Sequence, residues 1–195
     1  MARIRLARPD DAEAIAEIYA PYVRETAISF EIDPPGAAEM RRRMDACLAA
    51  WPWLVAEEQS RVLGYVYAGR FHLRAAYDWS AEITAYLAPE AQRRGLGTAM
   101  YRVLIDLLRA QGYHAVFAGI TLPNPASLAI HRALGMEEVG TYRESGFKFG
   151  RWHDVMWMGM TISPSVPPLH RPTAFPDLTR PLDLPVDVTL APKGG

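Results

Sequence analysis

Two hydrophobic periods take turns along the chain. RIRLAR (3–8) alternates basic and apolar side chains as a short strand does. PDDAEAIAEIYAPYV (9–23) follows, with acidic residues in its first turn, where a helix dipole favours them. Its Ile15, Ile18, Tyr19 and Tyr22 fall at i, i+3, i+4 and i+7, which predicts an amphipathic helix. A second helix is predicted within DPPGAAEMRRRMDACLAAW (33–51), after its prolines and closed by Pro52, with Met40, Met44, Cys47 and Leu48 as its apolar face. PWLVAEE (52–58) and RVLGYVYAGRF (61–71) are β-rich runs joined by a short polar link, the pattern of an antiparallel hairpin. SAEITAYLA (80–88) alternates strictly: Ala81, Ile83, Ala85 and Leu87 face one side, Glu82, Thr84 and Tyr86 the other.

Helical period returns with Leu96, Met100, Val103, Leu104, Leu107 and Leu108 and ends at Gly112, a C-terminal capping glycine. HAVFAGI (114–120) is nearly all apolar and suits a buried strand. PNPASLAIHRALG then offers Asn124 as N-cap, Pro125 as first helical residue and Gly135 as terminator. Two further β-like runs, 136–145 and 150–162, complete an order that predicts a mixed sheet with helices on it, over residues 1–162. From Ser163 the character changes. Eight of the 16 prolines lie in the last 33 residues without sustained period, so 163–195 is expected to be an extended proline-rich tail, either disordered or laid along a surface.

Composition narrows the partners. A chain of 195 residues, half of them apolar, has material for one core. Lys and Arg number 21 against 22 Asp and Glu, so nothing favours a polyanion and no nucleic-acid partner is expected. No apolar run approaches the ~20 residues that cross a bilayer, so no membrane partner is expected. Cys47 is alone, and the N-terminus turns acidic where a secretory signal needs an apolar stretch; a cytoplasmic protein is expected. The five histidines show no metal-ligand spacing, so no metal is expected. Trp152, His153 and Asp154 read as a packed tryptophan beside a hydrogen-bonded pair, without the serine nucleophile that a triad needs.

The chemistry concentrates in YLAPEAQRRGLGTAM (86–100), between a predicted strand and a predicted helix. Gly95 and Gly97 allow a tight turn and close approach of backbone N–H groups, the helix start adds unpaired donors, and Arg93 and Arg94 add charge. That combination suits a pyrophosphate; a plain strand-to-helix turn with solvated arginines has the same spacing. A Rossmann loop would need glycine where Met100 stands, and a Walker loop needs a Gly-Lys-Ser/Thr that is absent.

QRRGLGTAM resembles the Q/R-x-x-G-x-G/A signature of the GNAT acetyltransferases, which bind acetyl-CoA at such a junction. WPWLVAE (51–57), GYVYAG (64–69), AYDWSAE (76–82), YLAPEAQRRGLGT (86–98), LPNPASLAIHRALG (122–135) and GFKFGRWHDV (146–155) are similar, in that order, to the phosphinothricin N-acetyltransferases within that family, a resemblance spanning about residues 3–168. It implies an α/β fold with a mixed, mostly antiparallel sheet flanked by helices, acetyl-CoA as co-substrate and a homodimer. It assigns Arg93, Arg94, Gly95, Leu96, Gly97 and Thr98 to the pyrophosphate, and the backbone of Ala85, Tyr86 and Leu87 to the pantetheine arm. It assigns Asn124 to a CoA contact.

Acetyl transfer to an amine needs a deprotonated amine, a polarised thioester and a proton for the leaving thiolate. Glu82, on the polar face of the strand leading to the loop and at the family's acidic position, is the expected general base. His131 shares a helix face with Asn124 and Ser127, titrates near neutrality and is the second catalytic candidate; the division of roles between the two stays open. For the acceptor, the resemblance points to His72, Leu73 and Arg74, then Ile83 and Thr84 beside Glu82. Lys148 would add charge for an anionic amino acid, and Phe30 would cover the pocket. The expected acceptor is the amine of phosphinothricin or a related amino acid, by direct transfer because Cys47 is the only thiol. Methionine sulfoximine or sulfone is the alternative acceptor. A CoA-binding module without turnover and an unrelated nucleotide-phosphate binder are the readings from other classes.

Overall fold

The alternating and the helical segments meet in one eight-stranded sheet with helices on both faces. The computed structural model describes residues 1–167, 170–178 and 183–192. In chain order these form β1 (Ala2–Leu6), α1 (Ala12–Glu25), α2 (Ala37–Leu48), β2 (Trp53–Glu58), β3 (Arg61–Arg70), β4 (Ser80–Leu87), α3 (Leu96–Gln111), β5 (Ala115–Thr121), α4 (Pro125–Ala133), β6 (Glu137–Lys148), β7 (Arg151–Thr161) and β8 (Val186–Val188). The spatial strand order is β6-β7-β5-β4-β3-β2-β1-β8. Every neighbouring pair is antiparallel except β4 with β5, which α3 connects.

The strict alternation of β4 decides which helices lie where. Ala81 and Ile83 belong to the core under α3, with Ala85 and Leu87 at its border, and α4 adds Leu128 and Ile130 to that layer. Tyr86 points the other way, into the layer that α1 and α2 build with Tyr19, Met40, Met44, Trp53 and Tyr65. In α3, Met100, Leu104, Leu107 and Leu108 are fully buried, each side chain stabilising the fold by roughly 1.5–3 kcal/mol. The helix ends follow the sequence signals. Gly112 takes φ +94° and donates its N–H to Arg109. Asn124 caps α4 by accepting the Ser127 N–H at 3.1 Å.

The tail is laid along the body. Thr173 and Phe175 donate backbone N–H bonds to Gln111 and Ala50, and β8 pairs antiparallel with β1 through Ala2↔Val188, Arg3↔Asp187 and Ile4↔Val186. Phe175, Leu184, Val186, Val188 and Leu190 pack against the α3 core. A three-residue strand is too short to show a period. Its position comes from β1, whose open edge otherwise exposes unpaired backbone groups. Residues 168 and 169, 179–182 and 193–195 lie outside the described residues. Among the described residues no helix is long and apolar enough to cross a membrane.

Candidate active site

β4 and β5 pair only from Ser80↔Ala115 to Glu82↔Phe117. Beyond that point β4 stays on β3 as far as Leu87 and β5 stays on β7 as far as Thr121, so the sheet splits into a wedge whose apex is Glu82. Leu87 shows which backbone groups face the gap. Its C=O accepts the Tyr22 hydroxyl at 2.6 Å and its N–H points to the same oxygen at 3.4 Å. With a period of two, Thr84 and Tyr86 turn their N–H and C=O to β3; the Ile83 N–H closes the last pairing with β5, and the Ile83 C=O and the Ala85 N–H and C=O face the gap. Of the three strand-end residues expected at a pantetheine arm, Ala85 therefore offers free peptide groups, Leu87 is already occupied by Tyr22, and Tyr86 contributes its ring. Tyr22 was visible in the sequence only as one more apolar-face position.

The loop from β4 to α3 turns through two left-handed residues, Arg93 at φ +57° and Gly95 at φ +78°. Gly95 is the N-cap and brings no side-chain cap, so the N–H groups of Leu96, Gly97 and Thr98 at the start of α3 have no intrahelical acceptor. They form an anion-binding terminus reinforced by the helix dipole. Gly97 is needed for closeness: a Cβ there would stand 3.2 Å from Ile130 Cδ1 and 3.4 Å from Leu87 Cδ1. The two arginines differ. Arg93 is exposed, whereas Arg94 directs Nε to the Ala191 carbonyl at 3.1 Å and Nη1 toward Glu58 at 3.8 Å.

Glu82 and His131 sit on opposite faces of the split. Glu82 is half-buried and unpaired among the described residues, and burial raises its pKa above the usual carboxylate range. His131 on α4 is 3 % exposed, and burial lowers its pKa. Its Nδ1 lies 2.8 Å from the Ser127 carbonyl, an oxygen that can only accept, so Nδ1 carries the proton of the neutral ring. Nε2 keeps a lone pair without a partner among the described residues. The imidazole lies 5.1 Å from the Tyr101 ring. His131 and Tyr101, with Asn124, Ser127, Ile83, Thr84 and Ala85, line a small cavity of about 60 Å³ in the wedge, a lining that does not include Glu82. Ile28, from the α1–α2 loop, lines it as well; nothing in the local sequence pattern had marked it.

The expected acceptor residues divide. Ile83 and Thr84 are in the wedge. His72, Leu73 and Arg74 are exposed on the β3–β4 loop, rooted by Phe71 stacked at 4.3 Å on Phe117, the register partner of Glu82. Lys148 is 5 % exposed, and its ammonium donates to the carbonyls of Val23 and Ser29 at 2.6 and 2.7 Å. It ties the end of α1 and the following loop to the β6–β7 hairpin, and its charge is already committed. Phe30 lies over Gly146, with its ring where a side chain there would stand. In the WHD run, His153 Nε2 donates to the Lys148 carbonyl at 3.0 Å and Asp154 accepts the Glu144 N–H at 2.7 Å. Trp152 is not packed as expected but 59 % exposed, because it faces outward near the tip of a two-stranded edge. Burial pushes the Cys47 thiol up to about 12, which leaves no thiolate to carry an acyl group. Among the described residues no cluster of His, Cys, Asp and Glu could hold a metal ion.

Residues 4–157 match the family model for an acetyltransferase (GNAT) domain. The chain is 38 % identical over 165 residues to a phosphinothricin N-acetyltransferase of Streptomyces viridochromogenes, covering 85 % of this chain and 90 % of that protein. It is 33 % identical over 166 residues to an L-methionine sulfoximine/L-methionine sulfone acetyltransferase of Pseudomonas paraeruginosa, covering 84 % and 96 %. Its fold superposes on the crystal structure of a GNAT phosphinothricin acetyltransferase from Sinorhizobium meliloti in complex with acetyl-CoA, with a TM-score of 0.82, 36 % identity, and 90 % and 96 % of the two chains covered.

Proposed function

We propose, for a chain that belongs to the GNAT acetyltransferases and is an acetyl-CoA-dependent N-acetyltransferase, that the acceptor is the amino group of phosphinothricin or a closely related amino acid. The observation that carries this reading is the wedge with Glu82 at its apex: the thioester would be held by the free peptide groups of Ala85, and a half-buried carboxylate stands where the acceptor amine must arrive. The names of the similar acetyltransferases support the acceptor class.

The ammonium of the acceptor loses one proton to Glu82, directly or through water. Burial raises the Glu82 pKa, which makes the carboxylate a better base than an exposed one. The N–H groups opening α3 hold the pyrophosphate, and the Ala85 N–H polarises the thioester carbonyl. After attack, the second amine proton passes to the Nε2 lone pair of His131 and from there to the departing sulfur. The products are an amide, a thiol and one proton released through Glu82. Arg74 on the exposed loop would meet the acceptor's anionic end. We also read the molecule as a homodimer, supported by exposed Tyr142, Phe147, Phe149 and Trp152 on the terminal β6–β7 hairpin.

The test is CoA thiol release with phosphinothricin, methionine sulfoximine and an unrelated arylamine. The proposal expects phosphinothricin to be turned over with the highest kcat/KM. A higher value for methionine sulfoximine moves the assignment to the sulfur analogues, and turnover of the arylamine alone would sink it.

A further inference from the structure

Arg94 stands between the two left-handed residues of the phosphate loop, Arg93 and Gly95. A non-glycine residue at positive φ is held there only by its surroundings. What holds this stretch comes from the far end of the chain. The Ala191 N–H donates to the Arg94 carbonyl at 3.2 Å, and Arg94 Nε donates to the Ala191 carbonyl at 3.1 Å, a reciprocal pair across 97 positions of sequence. Glu58 takes the other side of the guanidinium, and the Arg94 side chain is left 15 % exposed. Ala191 is itself fixed, because β8 is registered on β1 and Val186, Val188 and Leu190 pack into the core just before it.

We infer that the segment 186–191 is a positioning element of the acetyl-CoA site, with Ala191 clamping Arg94 so that the loop N–H groups are set before the pyrophosphate arrives. Arg94 then serves the ligand through its main chain, since its side chain is spent on Ala191 and Glu58. Preorganisation of this kind raises affinity for the phosphate end of the donor and leaves the acetyl end untouched. The inference rests on reading the loop as the pyrophosphate site.

Ala191 is exposed, so Ala191→Pro removes one donor without entering the core. The full-length variant and wild type are compared with acetyl-CoA and with acetyl-pantetheine, which lacks the phosphates, alongside Arg94→Ala and the double variant. The expected result is a KM for acetyl-CoA raised about five-fold in Ala191→Pro, the effect of one hydrogen bond, with kcat and the acetyl-pantetheine KM unchanged. Arg94→Ala removes the side-chain bond and keeps the backbone one, so the double variant, which loses both, should have a higher acetyl-CoA KM than either single variant. Equal losses with both donors, or a lowered Tm with unchanged acetyl-CoA KM, would each overturn the clamp. Wild type that does not prefer acetyl-CoA to acetyl-pantetheine would instead overturn the reading of the loop. Should Ala191→Pro fail to fold, Glu58→Gln, which frees the guanidinium from the opposite side, must raise the acetyl-CoA KM alone for the inference to stand.

Discussion

On the donor side of β4 the site is made of backbone: the peptide groups of Ala85 beyond the last pairing with β5, the left-handed Gly95 and the open N–H groups at the start of α3. On the acceptor side it is made of side chains drawn from distant segments. Lys148 reaches Val23 across 125 positions, Phe30 covers Gly146, and Phe71 stacks on Phe117. Backbone sites are specified by a few residues next to one another. Side-chain sites are specified by the whole fold, and the two halves should fail in different ways when changed.

The largest effect is expected where the halves meet. Glu82→Gln should lower kcat about 100-fold or more with acetyl-CoA affinity retained, and should remove the acid limb of the rate profile, since burial raises the Glu82 pKa and activity needs its ionised form. Stopped thiol release across pH measures both; a retained acid limb would assign the base elsewhere. Next comes a break confined to the acceptor half. Lys148→Met leaves the Val23 and Ser29 carbonyls buried without their charged donor, and should cost about 3 kcal/mol in denaturant unfolding. In the folded fraction the acceptor KM should rise while acetyl-CoA binding is unchanged; equal loss of both ligands would dissolve the distinction.

The complementary break is Gly95→Ala. A Cβ there meets nothing within 4 Å, so the effect comes from φ +78° alone, about 1 kcal/mol of strain. Acetyl-CoA should bind about five-fold more weakly by calorimetry, with the acceptor KM preserved. The smallest effect concerns stability. His131 has a folded pKa lowered by burial, so as pH falls below about 6.5 the unfolded chain takes up the proton first. This contribution is complete above that pH and declines as pH falls toward the folded value. Unfolding at pH 7.5 and 5.5 should show a difference that shrinks in His131→Gln.

The donor half was legible because its signals are local. Asn124, Pro125 and Gly135 announced α4, and Gly95 and Gly97 marked a turn into a helix whose period was plain from Leu96 to Leu108. The alternation of residues 80–88 placed Glu82 and Ile83 on opposite faces before any fold was known. The acceptor half was only partly legible. Lys148 read as a free charge because sequence shows a side chain's type and not its partners, and Ile28 and Tyr22 carried no mark that distinguished them from ordinary apolar positions. Arg94 read as a charge for the ligand for the same reason.

The sequence by itself determined the elements, their order and the two faces of the central strand, because period and capping depend on neighbours within a few positions. Tertiary structure alone decided where β4 parts from β5, which cations remain free, and that residues 186–191 return to the phosphate loop. Those outcomes depend on strand register and on contacts across 97 and 125 positions, which no local pattern encodes.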